Sequence, residues 1–264
     1  MKLEKLIGLT LRLSNKLLRI LNSDLRIIRP SKKKQIKIPY DIESDFIEIY
    51  HKCKNFTLTS PERMYSLYKT TIYISKHKIP GDIVECGVWK GGSMMVCALT
   101  LMKLKDINRK IYLYDTYEGM TEPTHHDIRA YDRFRAKIKY DYLKQRNIKW
   151  DYAPLNEVKK NLYSTGYPKD NLIFIKGKVE DTVPKVLPNK ISILRLDTDW
   201  FESTYHELKF FFPKLSINGP IIIDDYGHWK GAKEATDIYF AKNNIKILLN
   251  RIDAPGRIGI KQNE

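Results

Sequence analysis

The sequence predicts an α/β protein built on one mostly parallel sheet covered by helices on both faces. Three observations carry this. From residue 82 onward, short apolar segments alternate with helix-length ones. Several of the apolar segments, such as "IYLY" and "PIII", run without a polar break, as strands buried on both faces do. The last two are joined by "DAPG", a turn and not a helix, so they should form an antiparallel hairpin that closes the sheet. A chain of 264 residues is expected to hold one large core with an appendage.

Taken in order, residues 3–22 place Leu3, Leu6, Ile7, Leu13, Leu17, Ile20 and Leu21 on one helical face, with Lys5, Arg12, Lys16 and Arg19 beside it. This is a basic amphipathic helix, and "RPSKKKQIKIP" reads as a linker after it. Residues 1–38 thus form one unit, and 39–80 a helical segment that packs on the core domain, 81–264. Residues 41–78 read as helical, with a start signal at Ser60 (cap), Pro61 (first turn) and Glu62. Strands are expected at "DIVECGV", "KIYLYDT", "NLIFIKGK", "ISILRLDT", "GPIIIDD", "IKILLNRI" and "RIGIK". Seven strands, the last one antiparallel, describe the class I, S-adenosylmethionine-dependent methyltransferase variant of the Rossmann-like doubly wound fold, here with an N-terminal helical extension.

Composition narrows the alternatives. With 42% hydrophobic and 30% charged residues the chain reads as soluble and globular. Cys53, Cys86 and Cys97 are odd in number and lack CxxC spacing, which fits neither a disulfide framework nor a zinc site but suits a reducing cytoplasm. "LIGLTL" is too short for the apolar core of a signal peptide, and no small-residue cleavage site follows. The net charge of +16 invites a nucleic-acid reading, yet residues 1–38 hold 11 Lys or Arg against Glu4 and Asp24, so +9 of it lies in the appendage. Motifs for methylating a base are also missing: there is no Asn/Asp-Pro-Pro-aromatic run and no Pro-Cys nucleophile.

Ligands of such a sheet collect outside the carboxyl ends of its strands, near the point where strand order reverses. The first strand runs into "VECGVWKGGSMMV", from which Glu85, Gly87, Gly92 and Ser93 are expected to contact the cofactor. The glycines admit a close backbone approach, and the helix starting at Ser93 offers its amides to a carboxylate. It is not the G-x-G-x-x-G dinucleotide fingerprint, because position 89 is Trp. Asp115 ends the second strand, where it could accept ribose hydroxyls. Lys178 and Val179 follow the third strand, either flanking an adenine or forming an ordinary strand-to-helix turn.

Two further strand ends carry four acids. Asp197 and Asp199, two apart, point to one side, and Asp224 and Asp225 join them if the fourth and fifth strands are neighbours. Four like charges this close raise one another's pKa unless a cation lies among them, and Mg²⁺ takes carboxylate oxygens. The competing role, capping the next helix, suits Ser203 or Thr204 better than Asp199.

The stretches "IPGDIVECGVWKGGS", "YDTYEGM", "GKVEDT", "LRLDTDWFEST" and "IIIDDYGHWKGAKEATDIYF" resemble the macrocin O-methyltransferase family, in order and over roughly residues 55–262. The resemblance implies S-adenosylmethionine as donor, Mg²⁺ as cofactor and a sugar hydroxyl of a glycan or glycosylated metabolite as acceptor. It also implies Asp197, Asp224 and Asp225 as metal ligands and Asp199 as general base. The chain departs from the family at Lys178 and Val179, where an aromatic pair is usual, and at Ala254 and Pro255, where Tyr-Thr is more common. Expected partners are a sugar-bearing acceptor and a second copy of the chain, with no nucleic acid. A metal-dependent methyltransferase of a catechol-like molecule is the alternative, since vicinal phenols chelate Mg²⁺ equally well; a catalytically dead binding module would have little reason to keep four clustered acids.

His228 stands near the acids as a substrate contact or a packing residue. His125 and His126 lie in "GMTEPTHHDIRAYDRF", read as a mobile lid over the acceptor. Trp89 and Trp229 line the pocket or fill the core. Residues 1–22 are expected to hold a cytoplasmic enzyme on an anionic inner membrane face or a glycan-assembly complex, at about 1 kcal/mol per basic residue near the surface; the same leucines could instead bury against protein. Full-length protein should pellet with anionic liposomes at low salt and release at high salt, while protein starting near Pro39 stays in the supernatant. Full-length protein that ignores liposomes rules the membrane role out.

Overall fold

The computed structural model describes residues 40–262, so the amphipathic helix and linker expected at 1–38 lie outside the described residues. Among the described residues, no helix is long and apolar enough to cross a membrane.

Two helices precede the sheet, α1 (Ser44–Cys53) and α2 (Pro61–Lys76). The sequence suggested one helical stretch from 41 to 78; the structure breaks it at 54–60. Pro61 is tolerated only in the first turn, and the Ser60 hydroxyl accepts a hydrogen bond from the Arg63 amide at 3.2 Å, so a new helix must start there. The break brings Thr57, Leu58 and Thr59 to the ligand end of the sheet.

The sheet has seven strands: β1 (Asp82–Cys86), β2 (Ile111–Asp115), β3 (Leu172–Lys176), β4 (Ile191–Leu196), β5 (Pro220–Ile223), β6 (Asn250–Arg251) and β7 (Arg257–Ile260). Their order is β3-β2-β1-β4-β5-β7-β6. Pairing is parallel from β3 through β5, and β7 runs antiparallel to both of its neighbours. This is the expected doubly wound sheet closed by a hairpin. One strand differs: "IKILLNRI" contributes only Asn250 and Arg251, which pair with Ile258 and Arg257, and Leu248 ahead of them is exposed.

Helices α3 (Gly92–Leu104), α4 (Ala136–Gln145), α5 (Leu155–Tyr163), α6 (Val179–Thr182), α7 (Phe201–Phe211) and α8 (Lys230–Lys242) complete the layers. β4 is buried along its whole length, as an apolar run covered on both faces should be. The order reverses at β1, with β2 on one side and β4 on the other, and the ligand end of the protein opens at this switch point.

Candidate active site

A cavity of about 400 Å³ lies across the carboxyl ends of β1, β2, β4 and β5. Register explains why the acids meet there. Leu196 pairs with Ile223, so the next residue of each strand, Asp197 and Asp224, come out side by side, and the Asp224 amide donates to the Leu196 carbonyl at 2.9 Å. One carboxylate oxygen each from Asp197, Asp224 and Asp225 lie within 4.8 Å of one another. Asp199 reaches the same group from the loop after β4, within hydrogen-bonding distance of Asp225 and of the Trp229 side chain.

The electrostatics of this cluster are unfavourable as it stands. Burial, then like charges, push the Asp197 and Asp225 carboxyls well above the ordinary carboxylate range. Burial and the Asp197 charge push Asp199 up to about 8. Asp225 Oδ2 is buried with no hydrogen-bond partner. Converging carboxylates, an orphaned oxygen and suppressed ionisation are the donor chemistry a hard divalent cation fits. The protein supplies part of the compensation itself. Arg195 donates to Asp224 Oδ1 at 2.6 Å and lies 2.8 Å from Asp197 Oδ2, and Arg63 pairs with Asp224 Oδ2 and, at 3.0 Å, with Asp253. Asp224 is therefore anchored through both oxygens, and a ligand role would use their remaining lone pairs.

Of the residues expected around a cofactor, Gly87, Ser93, Asp115, Lys178 and Val179 line the cavity. Glu85 and Gly92 do not. Glu85 is opposite Arg195 in the β1–β4 register, and its carboxylate accepts from Arg195 at 2.6 Å, beneath the acids rather than in the cavity. Burial raises its pKa to about 8 even against the arginine. Gly92 is a packing glycine, since a Cβ there would sit 2.5 Å from the Phe56 backbone. Gly87 has φ +82°, and a Cβ would meet the Asp197 carbonyl oxygen at 1.9 Å. Its lack of a side chain lets the loops after β1 and β4 touch. The Asp115 carboxylate accepts from the amides of Val88, Trp89 and Tyr117 at 2.7, 3.0 and 2.6 Å, which fixes the glycine turn from the neighbouring strand.

The segment read as a mobile lid is tied down by contacts that its polarity hid. Asp127 is fully buried; it accepts from Thr124 and from the Phe201 amide at 2.9 Å, so it, and neither Ser203 nor Thr204, satisfies the start of α7. Arg129 bridges Trp229 through the backbone, and Ala130 donates to the His228 carbonyl at 2.8 Å. His126 stacks on Phe201 and meets Glu234 at 2.9 Å, away from the acids. His228 lines the cavity, and burial lowers its pKa. Trp150, Trp200 and Trp229 pack edge to face over the Asp199 side, with centroids 5.1 to 6.5 Å apart. Trp150 had no signal in the sequence beyond being apolar. Arg195 did have one: a charge inside a strand buried on both faces must find acids.

A seven-stranded doubly wound sheet closed by an antiparallel strand, with its cavity at the switch point, is the architecture of class I methyltransferases. The pattern of the macrocin-O-methyltransferase (TylF) family matches residues 50–258, and the chain belongs to that O-methyltransferase family. It is 30% identical over 200 residues, 76% of this chain and 73% of the relative, to the 8-demethyl-8-(2,3-dimethoxy-alpha-L-rhamnosyl)-tetracenomycin-C 4'-O-methyltransferase of Streptomyces olivaceus. It is 29% identical, over 76% of this chain and 73% of the relative, to the demethyldecarbamoylnovobiocin O-methyltransferase of Streptomyces niveus. Among solved structures, the O-methyltransferase NovP superposes with a TM-score of 0.67 at 26% identity, covering 79% of this chain and 83% of that one.

Proposed function

We propose that this enzyme moves the methyl group of S-adenosylmethionine to a hydroxyl of a sugar, carried on a glycan or a glycosylated metabolite, with a divalent cation held by Asp197, Asp224 and Asp225 and with Asp199 as base. The observation that carries this reading is a cavity in which the loops after β1, β2 and β3 share one space with the acid cluster. The relative named as a rhamnosyl-tetracenomycin-C 4'-O-methyltransferase supports the sugar class.

The residues divide the work. Gly87, Ser93, Asp115, Lys178 and Val179 form the donor side of the cavity, with Asp115 holding the glycine turn in shape. Trp150 and Trp229 form an apolar wall on the other side that can cover a sugar ring's C–H face and exclude water. A sugar hydroxyl is a weak nucleophile while it keeps its proton, and Asp199 Oδ would take that proton as the oxygen attacks the sulfonium methyl in line. When bound, a divalent cation would supply positive charge that acidifies a coordinated hydroxyl.

The test is methyl transfer from S-adenosylmethionine, followed by mass spectrometry, to a panel of glycosides and catechols. A glycoside should be methylated, EDTA should lower the rate by ~10²-fold or more, and Mg²⁺ should restore it. Undiminished turnover in EDTA removes the metal from the reading, and preference for a catechol removes the sugar.

A further inference from the structure

We propose that the acceptor carries a negatively charged group, a phosphate or a carboxylate, and that Lys139 and Arg129 bind it at the mouth of the cavity. This rests on the acceptor side assigned above and narrows its substrate class.

Charge distribution is the first observation. Outside residues 1–38 the chain has a net +7, and residues 129–149 alone hold eight Lys or Arg against Asp132 and Asp141, which is +6. Almost all of the excess positive charge of the catalytic region sits in one 21-residue segment. That segment is also a wall of the cavity on the side of Asp199 and the tryptophans, through Arg129, Phe134 and Lys139. The Ala130 amide donates to the His228 carbonyl and the Lys230 amide to the Ile128 carbonyl, each at 2.8 Å, which holds this wall against the acid cluster's own loop.

The second observation is which of these charges are already used. On α4 and beyond, Lys137 and Lys144 pair with Glu122, and Lys149 pairs with Glu118. Lys139 differs. It follows buried Ala136 by three positions, so it stands on the inner face of α4. Its ammonium lies 3.9 Å from the centroid of the Trp150 ring, and among the described residues it has no carboxylate within ion-pair distance. An ammonium held on an aromatic face at a cavity mouth is open to an incoming anion, which would offset the burial and the Arg129 charge that lower its pKa. Arg129 is held in place: Nε and Nη2 donate to Asp132, and its guanidinium lies over Tyr131 and Phe134. Asp151 and Asp199 also line the cavity and act on Lys139 without pairing with it, and their oxygens suit sugar hydroxyls. A neutral glycoside would leave Lys139 without an ion-pair partner, whereas a sugar phosphate or a uronic acid would supply one with charge-assisted hydrogen bonds, and Arg129 beside it would add to the attraction.

The experiment is calorimetry on the full chain loaded with S-adenosylhomocysteine, using glucose 1-phosphate, glucuronate and methyl glucoside as probes. At least one of the charged sugars should bind about tenfold more tightly than the neutral one. Lys139→Gln should remove that preference and Lys139→Arg should retain it, with S-adenosylhomocysteine affinity the same in all three proteins. Equal binding of charged and neutral sugars, or a preference that survives Lys139→Gln, overturns the proposal. A variant that loses binding to phosphatidylglycerol vesicles while the wild type shows no sugar preference also overturns it, since the segment would then be reading a membrane. Failure of the wild type to bind S-adenosylhomocysteine would instead count against the methyltransferase reading itself.

Discussion

Asp199→Asn is expected to lower turnover by ~10² to 10⁴-fold, the usual worth of a positioned base, while leaving S-adenosylmethionine affinity unchanged. The swap isolates proton transfer because everything else about the position is kept. Asp199 sits at φ +68°, a left-handed conformation that Asn adopts as readily as Asp. The amide can still bond to Trp229 and Asp225, so the loop after β4 should hold its shape. What disappears is a carboxyl whose pKa burial and the charge of Asp197 raise in the metal-free cluster; a cation on Asp197 would bring it down, so that the carboxylate is present to receive a proton. The base works only when deprotonated, so the wild-type rate should rise with pH as Asp199 ionises, and the variant should lack that limb. Single-turnover rates across pH, together with calorimetry for the donor, provide the measurement. A variant within threefold of wild type would show that another group takes the proton.

Much of this site was open to sequence reasoning because its positions follow from strand periodicity. Apolar runs end where the sheet ends, so Asp115, Asp197 and Asp224 could be placed at the ligand edge before any contact was known, and the "DAPG" turn announced β7. What escaped depended on partners distant in the chain. Glu85 follows the same periodicity, yet its place opposite Arg195 directs it under the cluster instead of into the cavity. The break at 54–60 is visible in hindsight at Ser60 and Pro61, but its purpose, bringing Thr59 within 3.0 Å of Arg195 Nη2, is a tertiary contact. The 119–134 segment looks like a lid by composition. Its anchor, the fully buried Asp127, carries no local mark that separates it from a solvated loop acid.

Arg195→Met is expected to destabilise the protein by about 3–5 kcal/mol, the cost of breaking a buried ion network by removing one partner. Arg195 is 2% exposed, and its single guanidinium touches Glu85, Asp197 and Asp224. Methionine fills similar space, so little of the loss should come from a cavity; it comes from leaving acids such as Glu85, 1% exposed, in a dry interior without a cation. The loss should depend on pH, and its sign follows from Glu85. The folded carboxyl sits at about 8, above an unfolded value near ~4.3, so the folded state holds a proton that the unfolded state releases. That contribution is complete below the unfolded pKa and is lost as pH rises toward the folded one. Removing Arg195 raises the folded value further, so the variant's deficit should be smallest near pH ~5, where the acids can stay neutral, and largest above about 8. Urea unfolding at several pH values measures it, with the midpoint falling and the slope preserved. Adding Glu85→Gln to Arg195→Met should recover part of the loss at high pH, because one buried carboxylate then no longer needs a charge to oppose it. A deficit under about 1 kcal/mol at pH 8, or one that does not vary with pH, would mean that the acids find another counter-charge, with Arg63 as the group placed to provide it.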